Sequence, residues 1–168
     1  MSQSTAMKTL LVLRHAKSSW SDSGRDDHAR PLNTRGEAEA PRVGARLREQ
    51  RVTLDVVISS DAVRARNTAG MVAEAAGFSG TVVLDPRLYL ASADEVIAVL
   101  RELEADDADT VMIVGHNPGL EALVARMTGE QHDLPTAALA EIVLPIDRWP
   151  DLDASTHGTL VSLWRPDR

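Results

Sequence analysis

The chain has 168 residues, enough for one domain around one core. Its net charge of -7 argues against broad binding to nucleic acid or anionic membranes, both of which need a basic surface. With no cysteine, disulfides, thiolate nucleophiles and cysteine-held zinc or iron–sulfur sites are excluded, and a cytoplasmic setting is expected.

Residues 1–7 are small and polar and read as a frayed tail, leaving a single domain over 8–168. Thr9–Leu13 is a continuous apolar run, the pattern of a strand buried on both faces. It runs directly into Arg14 and His15. A polar stretch then reaches Asn33 and reads as a long loop, the kind that carries function in compact domains. Thr34-Arg35-Gly36-Glu37 fits a capping box and predicts a helix to about Gln50.

Leu54–Ile58 is the second predicted strand, followed by Ser59-Ser60-Asp61 as the cap of a helix reaching about Ala76. Thr81–Leu84 is a weaker strand. Ser92-Ala93-Asp94-Glu95 is a second capping box, opening a helix to about Glu104. Thr110–Val114 is the fourth strand, and Gly115-His116-Asn117-Pro118 follows it, with Asn117 expected to cap a helix over about 118–128. Ala138–Leu144 and Thr159–Trp164 read as two closing strands. Strands alternating with helices predict an α/β fold, a mostly parallel sheet with helices on both faces and a possible antiparallel edge strand.

In open α/β sheets ligands bind beyond the carboxyl ends of the strands. Arg14 and His15, Ser59 to Arg64, and His116 all fall at such ends, so three separate segments supply polar groups to one rim. An imidazole can accept phosphorus, and guanidinium groups can hold its oxygens.

These segments also carry a family resemblance. Leu11-Val12-Leu13-Arg14-His15-Ala16 resembles the Arg-His-Gly signature of the histidine phosphatase superfamily, whose fold is phosphoglycerate mutase-like. Ser59-Ser60-Asp61-Ala62-Val63-Arg64, continuing to Thr68-Ala69, resembles its second-arginine segment, and Val114-Gly115-His116-Asn117 its second-histidine segment. Arg30-Pro31-Leu32 resembles the stretch after the first loop in small members, and the SixA-type phosphohistidine phosphatase branch is the closest likeness. The resemblance implies that His15 attacks phosphorus in line as a neutral imidazole. It implies that Arg14 and Arg64 hold the equatorial oxygens, and that His116 donates to another oxygen as the imidazolium. Lys17, Ser18 and Asn117 are candidates for substrate contact, and backbone N–H groups near Ser60 and Asn117 for further support.

Ala16 stands where the signature has glycine, which the turn tolerates if φ stays negative. Leu90 stands where related proteins often show a glutamate that protonates the leaving oxygen, and Asp85 is the nearest carboxylate in that segment. A substrate needing little proton donation, such as a phosphoramidate, is therefore favoured over an alkyl phosphate.

The expected activity is metal-independent phosphatase action through a phosphohistidine intermediate, without a cofactor. The substrate is expected to be phosphohistidine on a protein, or alternatively a small phosphorylated metabolite. A non-catalytic module that binds phosphoproteins is the competing class. Arg30 is expected to tie the long loop to the body, Arg66 to form a surface ion pair, and Trp20 either to cover the entrance or to pack the loop.

Overall fold

The computed structural model describes residues 6–20 and 26–167. Most of the proposed tail, residues 1–5, and the tip of the first loop lie outside them. Strand β1 (Lys8–Arg14) is followed by α1 (Thr34–Glu49), β2 (Val56–Ser59), α2 (Val63–Ala76) and β3 (Val83–Leu84). Helix α3 (Ala93–Arg101), β4 (Thr110–Gly115), α4 (Gly119–Thr128), β5 (Leu139–Leu144) and β6 (Thr159–Trp164) complete the chain.

The six strands form one sheet in the order β3-β2-β4-β1-β5-β6. β3, β2, β4 and β1 are parallel, and β5 and β6 add an antiparallel edge. Side chains alternate across the sheet with the strand period of two. Leu10, Val12, Val111 and Ile113 enter one apolar cluster with α3 and α4. Leu11, Leu13, Met112 and Val114 enter the other with α1 and α2. This explains why β1 and β4 read as unbroken apolar runs: neither face meets water.

The cap positions differ from expectation by a residue or more. α1 is capped by Asn33, whose side chain accepts from Gly36 N–H, one residue before the expected Thr34. α2 starts at Val63, and Ser60 Oγ accepts from Ala62 N–H just outside it. α4 is entered through Pro118, after a cis Asn117–Pro118 bond, so Asn117 is not its cap. Its side-chain amide instead donates to Leu134 O at 2.8 Å. The capping box at Ser92 and Glu95 forms as expected, although α3 ends at Arg101 rather than Glu104.

Close backbone approaches seat two helices against the site. A Cβ on Gly36 would lie 2.1 Å from Lys17 O, and one on Gly119 only 1.8 Å from Ala91 O. Glycine thus lets α1 press on the loop after His15 and α4 on the segment after Leu90. Among the described residues no helix is long and apolar enough to cross a membrane.

Candidate active site

The parallel register aligns the strand ends. Arg14 on β1 lies opposite Gly115 on β4, and Ser59 on β2 lies opposite Val114. His15 N–H donates to Gly115 O at 3.1 Å, and Ser60 N–H to Val114 O at 2.9 Å. The sheet ladder itself brings His15, Ser60 and His116 to one rim. It also uses the Ser60 N–H, so that group is not free for an anion as expected.

One cavity of about 210 Å³ opens there, lined by Arg14, His15, Lys17, Ser18, Arg30, Arg64, Leu90, His116 and Asn117, with Trp20 and Thr136. Every sequence-predicted site residue lines it. Four of these residues are cations and none is a carboxylate. Ala16, buried behind His15, is not among the residues with positive φ, which accounts for alanine in place of glycine.

His15 is 6% exposed, and its Nδ1 lies 2.7 Å from Ala16 O. A carbonyl oxygen only accepts, so Nδ1 carries the proton and Nε2 keeps its lone pair. Burial pushes the imidazole down to about 4, helped by the nearby Arg64, Arg14 and Arg30 and opposed by the Ala16 carbonyl. His15 is therefore a neutral imidazole across the neutral range. Thr68 fixes the turn behind it: Oγ1 accepts from Ala16 N–H at 3.0 Å and donates to Arg64 O at 2.7 Å.

The His116 ring centroid is 5.2 Å from that of His15. Its Nε2 is 2.8 Å from Ser60 Oγ, which already accepts from Ala62 N–H. With the Ser60 hydroxyl donating to Nε2, the His116 proton sits on Nδ1. Burial pushes His116 down to about 3, with His15 and Arg64 adding to the shift and Asp27 opposing it. In the free site His116 is therefore neutral, because it is buried among cations; the expected imidazolium belongs to the complex with substrate.

Arg14 donates from Nη1 to Leu134 O at 2.9 Å. Arg64 donates from Nη1 to Asp27 O at 2.7 Å and from Nη2 to Asp27 Oδ2 at 3.1 Å. Among the described residues, the buried side-chain nitrogens and oxygens without a partner are Arg14 Nε, Arg64 Nε, His116 Nδ1 and Asn117 Oδ1. All four belong to residues lining this cavity. Buried polar groups are nearly always bonded, so three orphaned donors in residues lining one cavity are consistent with an anion site.

Sequence reasoning missed Asp27 and Tyr89. Tyr89 Oη donates to Asp27 Oδ2 at 2.5 Å, and Arg30 Nε donates to Asp27 Oδ1 at 3.0 Å. The only sequence signal was a three-residue spacing between Asp27 and Arg30 inside a polar loop. Arg30 was expected to tie the loop to the body; instead it ties the loop to itself, through Ser18 Oγ at 2.8 Å and Ser19 O at 3.2 Å, and it also lines the cavity. Of the two alternatives for Trp20, packing on the loop is seen, its ring centroid 3.5 Å from Arg30 Cζ, and the residue also lines the cavity. Asp85 is elsewhere, capping a short turn and paired with Arg87 at 2.8 Å. Arg66 is exposed and has no ion-pair partner among the described residues, against expectation.

Residues 10–89 match the sequence profile described as Histidine phosphatase superfamily (branch 1). An uncharacterized Mycobacterium tuberculosis protein is 32% identical over 154 residues, covering 84% of this chain and 92% of that one. An uncharacterized chloroplastic protein of Arabidopsis thaliana is 35% identical over 141 residues; the match takes in 79% of this chain but 65% of that protein. Among solved structures, a SixA protein from Nakamurella multipartitia superposes with TM-score 0.82 at 28% identity, covering 96% of this chain and 97% of that one. The protein histidine phosphatase SixA complexed with tungstate superposes with TM-score 0.78 at 25% identity, covering 94% and 96%.

Proposed function

The chain belongs to the histidine phosphatase superfamily, and from that premise we propose that it is a metal-independent phosphatase acting through phospho-His15. The observation that carries this reading is the set of unpartnered donors, Arg14 Nε, Arg64 Nε and His116 Nδ1, around a neutral imidazole.

His15 Nε2 attacks phosphorus as the bond to the leaving group breaks, and that bond's electron pair departs with the leaving atom. Arg14 and Arg64 oppose the charge on the equatorial oxygens. His116 donates from Nδ1 to a third oxygen. A bound dianion raises the affinity of His116 for a proton, so the imidazolium forms with substrate present rather than before it. Water then attacks the phosphohistidine, releasing inorganic phosphate and restoring the imidazole. Tungstate on the related SixA is the same kind of tetrahedral oxyanion.

We favour phosphohistidine on a protein as substrate. Among the described residues no carboxylate lines the cavity, and Leu90 is part of its lining. An alkoxide leaving group would depart without a proton donor, whereas a phosphoramidate nitrogen needs less help. Trp20 and Leu90, 73% and 55% exposed, form an apolar lip suited to a protein surface. The test is hydrolysis of p-nitrophenyl phosphate and of a phosphohistidine peptide in EDTA, with and without vanadate. Turnover that EDTA spares and vanadate blocks is the expected result. Phosphopeptide binding without turnover would make the chain a binding module.

A further inference from the structure

Both side-chain hydrogen bonds of Arg64 end on one residue. Nη1 donates to the Asp27 carbonyl and Nη2 to the Asp27 carboxylate, while Nε is buried without a partner, in a residue that lines the cavity. Arg14, in contrast, is held by a backbone carbonyl, that of Leu134. A guanidinium on a long side chain binds an oxyanion well only when its fork is already aimed, because the rotamers it would otherwise sample oppose binding.

Asp27 is not a core residue. It opens a single 3-10 turn in the loop between β1 and α1, and its side chain is 43% exposed. What fixes it is the convergence of three donors: Tyr89 Oη from the segment after β3, Arg30 Nε from its own loop, and Arg64 itself. Tyr89 is placed in turn by edge-on contacts with His116 and His28, at centroid distances of 5.5 and 4.8 Å. His28 Nε2 lies 2.8 Å from Asp61 Oδ1 at the start of α2, the helix that carries Arg64. Asp27 therefore joins the loop, α2 and the Tyr89 segment at a carboxylate that does not itself line the cavity.

We propose that Asp27 is a positioning residue for oxyanion binding: gripped by Tyr89, it holds the Arg64 guanidinium in place beside the cavity. This rests on the reading of the cavity as a phosphoryl site. A carboxylate used only for its charge would weaken anion binding, and its removal would tighten it. A carboxylate used as a grip has the opposite effect, so the sign of the change separates the two.

The test is a double-mutant cycle read by binding of inorganic vanadate to the whole chain. Asp27→Ala is expected to weaken binding by about tenfold or more, the scale of losing a charge-assisted hydrogen bond. Asp27→Asn keeps an acceptor for Arg64 and should recover most of the loss. Tyr89→Phe should show a smaller loss in the same direction. In an Arg64→Ala background, Asp27→Ala should add little, because the group it positions is gone. Unchanged or tighter binding by Asp27→Ala, or an equal loss with and without Arg64, would overturn the proposal. Because the readout is binding, a chain that binds vanadate without turnover would defeat the phosphatase reading and still decide the role of Asp27.

Discussion

The imidazoles of His15 and His116 face one cavity with ring centroids 5.2 Å apart and planes at 53°. That spacing lets two rings flank one phosphoryl group, and it also makes each ring costly to charge. His15 is pushed down to about 4 and His116 to about 3, first by burial and then by neighbouring cations. For the free enzyme, loss of activity on the acid side follows protonation of His15. We expect kcat/KM, corrected for substrate ionisation, to stay level from pH 7 down to about 5 and to fall toward pH 4. An acid limb at the ordinary histidine value of 6.5 would contradict the burial of this pair.

The same shifts predict the pH dependence of folding. Between pH 6.5 and about 4 the unfolded chain binds protons at position 15 that the folded chain refuses. Stability from this source is complete above 6.5 and is lost as pH falls through the window. The loss from His15 alone is on the order of 3 kcal/mol, at about 1.4 kcal/mol per unit. Urea unfolding at pH 7 and pH 4.5 measures it, and the difference should shrink in His15→Ala.

Arg64→Ala removes a 3% exposed guanidinium from the lining of the cavity. Turnover should fall by on the order of 2–4 kcal/mol of transition-state stabilisation, the scale for one preorganised anion contact. Vanadate binding should weaken in parallel. An unchanged rate would mean that this side chain does not meet the substrate.

Ser60 is fully buried and its hydroxyl is 2.8 Å from His116 Nε2. Ser60→Ala should leave the fold intact but release the His116 tautomer. Nitrogen-15 NMR of the ring should then show a mixture of Nδ1–H and Nε2–H forms in place of mostly Nδ1–H, with a loss in kcat of about tenfold. A single unchanged tautomer would show that another group orients the ring.

Gly36→Ala tests how α1 seats the loop after His15. The added Cβ would meet the Lys17 carbonyl at 2.1 Å, and backbone cannot yield as a flexible side chain does. We expect thermal stability to drop by about 1–3 kcal/mol, the range for overpacking, with KM rising as Lys17 shifts. A variant with wild-type Tm and KM would contradict the close approach.

Arg14, His15, Arg64 and His116 were legible because each sits at or just past a strand end, and apolar runs such as Leu10–Leu13 and Val111–Val114 announce those ends without ambiguity. The mostly parallel sheet followed from the alternation of strands with helices, and the closing strands form the antiparallel edge that was expected as a possibility, whereas the strand order was not legible. Asp27 and Tyr89 were not legible as parts of the site, and Ser60, expected at the rim, was not legible as the partner of His116. Their roles depend on partners 37, 62 and 56 residues away, and spacing along the chain carries no trace of such pairs. Asn117 misled for a related reason. As a polar residue before proline it looks like a cap, but the distant Leu134 carbonyl takes its amide. The neutral state of His116 in the free site was not legible, because burial is a property of the fold rather than of the motif.

The central claim is that His15 Nε2 carries the phosphoryl group. The direct measurement is rapid quench of the protein with a phosphorus-32 phosphohistidine peptide, followed by peptide mapping. We expect transient label that is stable to base, labile to acid and located at His15, and none in His15→Ala. Turnover without such label, or label on any other residue, would contradict the account.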